Sequence, residues 1–476
     1  MNLQDPDLFR ERALIGGAWT GTASLQVHDP ATGQVMGRVP ECGADETAEA
    51  IAAAEAAFRT WRRVPNADRA GALMRWHDLM IASVDDLARI LTAEQGKPLS
   101  EAAGEIRYAA SYIKWFAEEA RRIEGSLLPE RGRRVLVSKD PVGVCAIITP
   151  WNFPAAMITR KVAPALAAGC TVVIKPSDFT PFTALALAVL AERAGIPAGV
   201  INVVTGRPEA IGQVLTASPT VRKLSFTGST RVGALLMAQC APTVKRLSLE
   251  LGGNAPFLVF DDADLGLAVE GAMASKFRNG GQTCVCANRF LVQSGIHDAF
   301  VERLAARVDA LKVGPGTAPG TDIGPMINAA AIDKINGHVA DALARGARRL
   351  TAQRDLPAHY ACPTVLTGAR TDMQLASEET FGPVAPVFRF ETEEEAIALA
   401  NDTPYGLAAY FYTRDLDRAF RVSDALEFGM LGLNTGAISS EVAPFGGVKM
   451  SGLGREGAHA GIEEYLETKA LHLAGA

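Results

Sequence analysis

The middle of the chain alternates short apolar runs with helical patterns, and this alternation constrains the fold more than any other feature. The apolar runs have the length and β-branched content of buried strands, and they lie at residues 144–149, 171–175, 200–204, 223–226 and 247–249. The clearest helix between them spans residues 181–194. Thr180 stands at its N-cap position, Pro181 at its first position and Gly195 just past its end. Strands that alternate with helices in this way predict a parallel, doubly wound sheet.

A second series of the same kind begins beyond residue 252. Strands are predicted at residues 257–260 and 290–293, and helices at residues 264–278 and 297–311. The predicted fold class is therefore α/β, with two doubly wound parallel-sheet lobes that meet near residue 252.

Two segments belong to neither lobe and have the pattern of exposed strands, at residues 133–139 and 464–473. An exposed strand edge invites pairing with another chain. We therefore predict a small β element that joins subunits into a homo-oligomer, a dimer or a tetramer, with ordinary surface structure as the alternative. Residues 45–123, which precede both lobes, are mostly helical.

The composition restricts the class of protein. The 476 residues are 48% hydrophobic and 21% charged, as in globular proteins with large cores. The net charge of -6 disfavours a nucleic-acid or anionic-membrane partner, and no segment has the pattern of a membrane span or a signal peptide. We expect a cytoplasmic protein. Seven cysteines without a CxxC or HExxH motif predict reduced thiols and no metal site.

Two glycine-rich motifs resemble nucleotide-binding loops but lack the context that such loops need. Residues 452–457 match G-x-G-x-x-G, yet they follow the loop at residues 444–447 instead of a strand, so we interpret them as a turn. Residues 228–233 have the glycine spacing of a P-loop. Ala234 stands where that loop requires lysine, which argues against nucleotide hydrolysis.

A cysteine that follows a flexible polar loop is the first candidate for chemistry. Cys284 comes directly after the Gly-Gly-Gln-Thr segment at residues 280–283. A thiolate is a strong nucleophile, and a helix beginning at this cysteine would lower the pKa of the thiol through its dipole. By itself the pattern is a weak signal, because most cysteines are small buried hydrophobes.

Two polar residues at predicted strand ends complete a candidate site. Glu250 ends one strand before a glycine turn, and apolar surroundings would raise its pKa and let it take a proton from water. Asn152 lies between Pro150 and Pro154, so its amide would be a preorganised donor to an oxyanion. The alternatives are a Glu250 that serves as a cap or ion-pair residue, and a simple proline-rich turn.

Five motifs, taken in order, resemble the aldehyde dehydrogenase superfamily over nearly the whole chain. They lie at residues 150–154, 249–253, 281–284, 379–383 and 444–447. Within that superfamily, residues 275–279 followed by residues 284–288 are similar to the succinate-semialdehyde dehydrogenases. The order of five motifs makes this resemblance highly specific.

The resemblance implies a mechanism. The Cys284 thiolate attacks the aldehyde carbon, and the Asn152 side chain with the cysteine N–H holds the oxyanion. Hydride passes to the nicotinamide, and Glu250 activates the water that hydrolyses the resulting thioester to a free acid. The implied organisation is an NAD(P)-binding domain, a catalytic domain and oligomerisation segments, at residues 1–124 with 143–252, 253–445, and 125–142 with 446–476, respectively.

The resemblance also assigns the cofactor contacts, which are Trp151, Lys175, Ser177, Asp178, Gly228, Ser229, Leu251, Glu379 and Phe381. It places Lys175 and Trp151 on the adenosine side, and Glu379 and Phe381 on the nicotinamide side. Asp178 would repel a 2′-phosphate, which favours NAD. Its short side chain leaves NADP open, and a role only in the turn before Thr180 is the alternative.

A semialdehyde carries a distal carboxylate, which guanidinium groups bind best. The resemblance implies Arg160, Arg278 and Ser439 as its contacts, so succinate semialdehyde is the predicted substrate; solvated or ion-paired arginines are the alternative. Glutarate semialdehyde competes, since one methylene changes binding by only about 1–3 kcal/mol.

Cys286 lies two residues after Cys284 and is a candidate for a regulatory disulfide with it, although a packing role is the simpler interpretation. Two further classes compete with the dehydrogenase interpretation. One is a thiol esterase without redox chemistry, and the other is a binding protein that has lost its activity.

Overall fold

Two large sheets form the framework of the protein in a computed structural model that describes residues 1–130 and 133–474. The predicted oligomerisation segments include residues 131–132 and 475–476, which lie outside the described residues. Among the described residues, no helix is both long and apolar enough to cross a membrane.

Fifteen α-helices and twenty-two strands, numbered in chain order, make up the described part of the chain. The helices are α1 (Ala44–Trp61), α2 (Asn66–Ala82), α3 (Val84–Gln95), α4 (Leu99–Glu119), α5 (Ala156–Ala168), α6 (Pro181–Arg193), α7 (Pro208–Ala217), α8 (Thr230–Cys240), α9 (Leu265–Lys276), α10 (Ser294–Asp309), α11 (Ala329–Ala344), α12 (Gln374–Ser377), α13 (Glu393–Asn401), α14 (Leu416–Ala425) and α15 (Ala460–Glu463). The strands are β1 (Ala13–Ile15), β2 (Ala18–Thr20), β3 (Ala23–His28), β4 (Val35–Pro40), β5 (Ser126–Glu130), β6 (Arg133–Pro141), β7 (Val144–Ile148), β8 (Thr171–Lys175), β9 (Ile201–Val203), β10 (Val221–Thr227), β11 (Arg246–Glu250), β12 (Ala255–Val259), β13 (Ala287–Gln293), β14 (Arg348–Arg349), β15 (Thr364–Thr367), β16 (Val384–Phe390), β17 (Tyr405–Gly406), β18 (Ala408–Tyr412), β19 (Met430–Leu433), β20 (Val448–Lys449), β21 (Gly452–Leu453) and β22 (Leu466–Ala474).

The first large sheet has the strand order β2-β1-β9-β8-β7-β10-β11-β21. Its five central strands are parallel, and antiparallel strands cover both edges. Successive side chains of β7 enter different cores: Cys145 and Ile147 pack with α2 to α6, whereas Val144 and Ala146 pack with α1, α7 and α8. Both faces of the sheet are therefore buried, as the apolar runs predict.

The second large sheet has the order β14-β15-β16-β13-β12-β18-β19 and is parallel except for β14. Phe257 and Val259 pack against α9 and α10, and Leu258 packs with α11, α13 and α14 on the opposite face. The predicted α/β class with two doubly wound, mostly parallel sheets is confirmed.

The start of α6 differs from the prediction. Pro181 and Gly195 have their predicted positions, but the Thr180 hydroxyl caps nothing and has no partner among the described residues. The buried carboxylate of Glu94 on α3 accepts instead from the backbone N–H groups of Phe182 at 2.7 Å and Thr183 at 2.9 Å. The Glu94 carboxyl group from another helix thus takes the place of the local hydroxyl, because its two oxygens can accept from both N–H groups at once.

A small three-stranded antiparallel sheet, ordered β22-β6-β5, contains both predicted exposed strands. The rest of the C-terminal segment belongs elsewhere. The predicted turn at residues 452–457 is wrong in part, because Gly452 and Leu453 form β21 and pair with β11. Any side chain at position 452 would collide with the Leu249 carbonyl, so glycine permits this pairing. The chain just before it forms β20, which pairs with β17.

Candidate active site

Two of the predicted site residues lie at the carboxyl ends of strands, and a third lies just before a strand. Glu250 is the last residue of β11, Asn152 follows β7, and Cys284 lies between a short 3-10 turn at Arg278–Gly281 and β13. The loops approach each other closely, since a Cβ atom at Gly253 would lie 2.6 Å from the Cys284 carbonyl oxygen. Glycine therefore lets the two sheets place their loops against one another.

Asn152 and Cys284 line one cavity of about 240 Å³, which we call the cysteine cavity. Its walls come from the ends of β7, β10 and β11, from α11 and from the segment before β16. The lining residues are Pro150, Trp151, Asn152, Met157, Thr227, Gly228, Ser229, Leu251, Gly252, Cys284, Lys334, Glu379 and Phe381. Several side chains that were far apart in the sequence thus meet at one place.

Burial raises the pKa of the Cys284 thiol to about 12. The positive charge of Arg160 opposes this shift, and the carboxyl groups of Glu379 and Glu250 add to it. The predicted lowering by a helix dipole is wrong, because Cys284 sits in a turn that leads into β13 and no helix begins there. A nucleophilic role therefore needs a nearby group that accepts the thiol proton.

Glu250 has the properties of such a proton acceptor. It is 2% exposed, and neither carboxyl oxygen has a hydrogen-bond partner among the described residues. Burial, and then the neighbouring charge of Glu456, raise the pKa of Glu250 well above its usual value. A carboxyl group with a raised pKa is a better base near neutral pH than an ordinary surface carboxylate.

A buried ion cluster beside Glu250 was missed by the sequence reasoning. The Glu456 carboxylate accepts a hydrogen bond from Arg160 Nε at 2.8 Å and pairs with the Lys161 ammonium group. Glu456 lies inside the glycine motif that we interpreted as a turn, 296 residues away from Arg160. No local pattern marks it, because only the fold brings its partners into contact.

A network of buried amides holds Asn152. Its side-chain nitrogen donates one N–H to the Gln282 carbonyl at 3.0 Å, so the second N–H of the same amide can donate to another acceptor. Its backbone carbonyl accepts from Lys97 Nζ at 2.8 Å and from Asn279 Nδ2 at 3.0 Å. Asn279 also donates to the Gln282 carbonyl at 3.2 Å, with a left-handed φ of 52°. Asn279 therefore joins the segment after β7 to the cysteine loop.

A second cavity, of about 310 Å³, includes Phe153 in its lining, and we call it the arginine cavity. Its lining residues are Lys97, Glu101, Gly104, Glu105, Tyr108, Phe153, Arg278 and Ser439. Lys97 Nζ donates to Glu105 at 2.5 Å, and the Arg278 guanidinium carbon lies 5.1 Å from the centre of the Phe153 ring. The structure thus brings Arg278 and Ser439 together, as predicted.

Arg160 is not among the residues that line the arginine cavity. It is 1% exposed, its guanidinium group pairs with Glu456, and the guanidinium carbon lies 3.8 Å from the centre of the Phe445 ring. The expectation that Arg160 and Arg278 meet in one anion site is therefore not met. Its guanidinium group is already held by a buried carboxylate, which it shares with Lys161.

Comparison with known proteins identifies the family. A model of the aldehyde dehydrogenase family matches residues 19–471. The chain belongs to the aldehyde dehydrogenase family. The glutarate-semialdehyde dehydrogenase of Pseudomonas aeruginosa is 56% identical over 100% of both chains, and the NADP(+) succinate-semialdehyde dehydrogenase of Escherichia coli is 57% identical over 99% of both. The crystal structure of succinate-semialdehyde dehydrogenase from Burkholderia pseudomallei is 60% identical, with a TM-score of 0.98 over 100% of both chains.

This aldehyde dehydrogenase is an NAD(P)-dependent oxidoreductase, and residues that line its cysteine cavity suit parts of such a cofactor. Ser229 caps α8 by accepting from the Val232 N–H at 3.4 Å, so a helix N-terminus faces the cavity as anionic phosphates require. Trp151 and Phe381 provide aromatic surfaces with ring centres 5.6 Å apart. Trp151 on the adenosine side and Phe381 on the nicotinamide side stay predictions.

Lys175 and Asp178 form an ion pair in the dehydrogenase, with the Lys175 side chain 5% exposed and that of Asp178 29% exposed. The Ser177 hydroxyl accepts from the Phe179 N–H at 3.3 Å, which shapes the turn between them. Burial lowers the pKa of Lys175 and raises that of Asp178, while the charge of each partner opposes the shift of the other. The lysine charge is therefore already neutralised locally.

Glu379, a predicted cofactor contact, also lies in the cysteine cavity. Its carboxylate accepts from the Gly253 N–H at 3.4 Å, and burial raises its pKa to about 7. Lys334 of α11 donates to the Glu379 carbonyl at 2.5 Å and lines the same cavity. Sequence reasoning missed Lys334, because a lysine on an exposed helix carries no local signal.

Cys286 is a free, buried thiol that donates to the Lys276 carbonyl at 3.4 Å. Burial raises its pKa. It is not among the residues that line the cysteine cavity, and the disulfide with Cys284 stays a prediction.

Proposed function

We propose that this aldehyde dehydrogenase oxidises succinate semialdehyde to the dicarboxylic acid, using Cys284 as nucleophile and Arg278 as the anchor of the distal carboxylate. The observation that carries the proposal is the position of Arg278 in the arginine cavity, against Phe153 and together with Ser439. Phe153 directly follows Asn152, which lines the cysteine cavity. A substrate with a charged end and an aldehyde end matches two such neighbouring cavities.

The charges in the arginine cavity support Arg278 as the anion-binding group. Lys97 is compensated by Glu105 within the cavity, and Glu101 accepts from the Asn279 N–H at 2.8 Å. Arg278, by contrast, forms no ion pair within 4.0 Å in the described part of the chain, and its side chain is exposed. A guanidinium group binds a carboxylate with good geometry, and a serine hydroxyl adds a further donor.

The proposed chemistry uses three residues of the chain. Glu250 accepts the proton of the Cys284 thiol, and the sulfur forms a bond to the aldehyde carbon. The remaining N–H of the Asn152 amide donates to the oxyanion that develops there. When bound, NAD(P)+ accepts the hydride that the carbon loses. Glu250 releases that first proton to solvent and then takes a proton from water. The hydroxyl attacks the thioester carbon, and the carbon–sulfur bond breaks to release the acid, with the Cys284 sulfur leaving as a thiolate.

For the cofactor, we propose that NAD is preferred over NADP. A 2′-phosphate next to Lys175 would meet the negative charge of Asp178, which occupies the lysine. Like charges in this position disfavour the phosphorylated cofactor.

Glutarate semialdehyde is the second candidate substrate. The Pseudomonas aeruginosa relative bears this substrate in its name. The five-carbon compound offers the same two functional groups, and one additional methylene changes binding by only about 1–3 kcal/mol.

Replacement of Arg278 tests the anchor. We expect Arg278→Ala to raise KM for succinate semialdehyde by roughly 10-fold to 100-fold, since hydrogen bonds to charged groups are each worth about 1.5–3 kcal/mol. KM for butanal, which lacks the carboxylate, should change by less than about threefold. Initial rates of NADH formation measure both values, with Arg303→Ala on α10 as the matched surface control. Equal effects of Arg278→Ala on both aldehydes would remove the anchor from the proposal.

We also propose a homo-oligomer that uses the three-stranded sheet. The two edge strands of this sheet, β5 and β22, are exposed. Three leucines on them are at least half exposed: Leu127 at 58%, Leu128 at 50% and Leu471 at 52%. Paired edges and covered leucines would remove this surface from water. Light scattering on the purified chain tests the proposal, and a monomeric mass at micromolar concentration would contradict it.

A further inference from the structure

One face of α4 forms a wall of the arginine cavity. Glu101, Gly104, Glu105 and Tyr108 all line this cavity, and they stand at positions i, i+3, i+4 and i+7 of the helix. Residues with this spacing share one face of a helix. Gly104, in the middle of this row of residues, has no side chain to fill the cavity.

Nothing in the backbone of α4 calls for glycine at position 104. The helix runs from Leu99 to Glu119, so position 104 is interior, and its φ lies outside the left-handed region where glycine is favoured. A glycine in a helix interior is less stable than an alanine at the same position. The helix thus gives up stability at this position, and its own conformation gains nothing from it.

The space at position 104 is open. A Cβ atom added there would have no heavy atom within 4 Å, as at Gly212 and Gly337, whereas at Gly233 and Gly271 inside other helices it would collide with a neighbouring side chain. Gly104 is exposed, and it lines the cavity that also contains Arg278 and Ser439. A side chain at position 104 would enter the space into which a carboxylate-bearing substrate extends.

We propose that Gly104 is a specificity-determining residue, because its missing side chain leaves room for the longer of two ω-carboxyl aldehydes. This inference rests on the proposed function, since it assumes that the substrate carboxylate lies in the arginine cavity. The wild-type enzyme then accepts both the four-carbon and the five-carbon semialdehyde. Larger residues at position 104 shorten the cavity and select the four-carbon compound.

The test is a graded series, Gly104→Ala and Gly104→Leu, with kcat/KM measured for succinate semialdehyde, glutarate semialdehyde and butanal. We expect the ratio of glutarate to succinate semialdehyde to fall about threefold in Gly104→Ala and about tenfold or more in Gly104→Leu. The effect should appear in KM, with kcat for succinate semialdehyde within about twofold of wild type, because the reacting atoms are untouched.

Gly71→Ala is the matched control. Gly71 lies inside α2, a Cβ there would make an ordinary contact with Arg75, and it lines neither cavity. Both alanine variants should melt at or above the wild-type Tm, since alanine favours helix. The substrate ratio should change in the Gly104 variant alone.

The measurements distinguish a failure of the proposed role of Gly104 from a failure of the proposed function. A ratio that stays within about twofold of wild type in both Gly104 variants, or that rises, overturns the role of Gly104 while the proposed function stands. If the wild-type enzyme forms no NADH or NADPH with either semialdehyde, the proposed function fails, and the role of Gly104 fails with it.

Discussion

The two cavities are built in different ways. The cysteine cavity is formed by strand ends and glycine loops, so its shape depends on backbone positions such as Gly252 and Gly253. Four of the eight residues that line the arginine cavity, by contrast, come from one face of α4. Backbone at the end of a packed sheet is hard to change, whereas one side chain on a helix is easily exchanged.

This difference suggests how chemistry and selectivity are divided. Changes around the cysteine cavity should slow the oxidation of every aldehyde to the same degree. Changes around the arginine cavity should alter which aldehyde is preferred and leave turnover nearly intact. The proposed replacements of Arg278 and Gly104 test the second half of this division, and replacements of Glu250 and Asn279 test the first half.

The largest effect is expected for Glu250→Gln, which keeps the shape of the side chain but removes the base. We expect kcat to fall by about 10²-fold to 10⁴-fold, the usual contribution of general acid–base catalysis. The loss should be equal for succinate semialdehyde and butanal, measured as steady-state NADH formation. A clearly larger loss for one aldehyde would break the division between the two cavities.

The pH profile provides a second test of Glu250. Burial and the charge of Glu456 raise the pKa of Glu250, so its carboxyl group stays protonated up to a higher pH than an ordinary glutamate. The base is active only when ionised, and kcat should therefore fall as the pH is lowered through this pKa. Glu250→Gln should lose that acid limb. An unchanged limb in the variant would assign it to another group.

A smaller effect is expected for Asn279→Gly, because Asn279 holds two loops in register without touching the reacting atoms. Its amide donates to the carbonyls of Asn152 and Gln282. Glycine keeps the left-handed backbone at this position and removes only the amide. We expect kcat to fall by roughly 10-fold to 100-fold for all aldehydes, because small misplacements in a site are costly.

Asn279→Ala serves as the comparison for this variant. Alanine adds backbone strain to the loss of the amide, so its Tm should be lower than that of the glycine variant while kcat falls similarly. Full kcat in Asn279→Gly, measured with cofactor and aldehyde at saturation, would show that the amide bridge has no influence on turnover.

The smallest effect is expected for Asp178→Ser, which should free Lys175. The ratio of kcat/KM with NAD to that with NADP should fall by roughly tenfold, because the repelling charge is gone and a charge-assisted hydrogen bond becomes available. The preference between succinate semialdehyde and butanal should stay unchanged. Asp178→Asn separates charge from size, and an unaltered cofactor ratio in both variants would contradict the proposed role of Asp178.

Much of the fold could be predicted because its signals are local. The apolar runs of β7 and β8 are short and β-branched, and both sit in the predicted places of a sheet buried on both faces. The helix α6 was found through Pro181 and Gly195, but its actual cap is Glu94, 88 residues away from Phe182. The hydrophobic periodicity of a segment depends only on residues that are close in the sequence. It therefore cannot indicate a cap that comes from another helix.

The candidate site also has a part that the sequence could predict and a part that it could not. Cys284, Glu250 and Asn152 were marked by glycine and proline around them, since special backbone geometry needs special residues. Arg160 lies inside α5 and Arg278 begins the turn after α9, and neither position indicates that the first is paired with Glu456 while the second lines a cavity. Which arginine keeps its charge available depends on contacts that no spacing encodes.

The sequence by itself determined the two sheets, the order of the motifs and the nature of the candidate nucleophile, because each strand and each motif depends on a few adjacent residues. The tertiary structure alone decided the high pKa of the Cys284 thiol, the cluster around Glu456 and the open space at Gly104. Burial, charge pairing and empty volume are properties of groups that the chain brings together from far apart, and they exist only once it has folded.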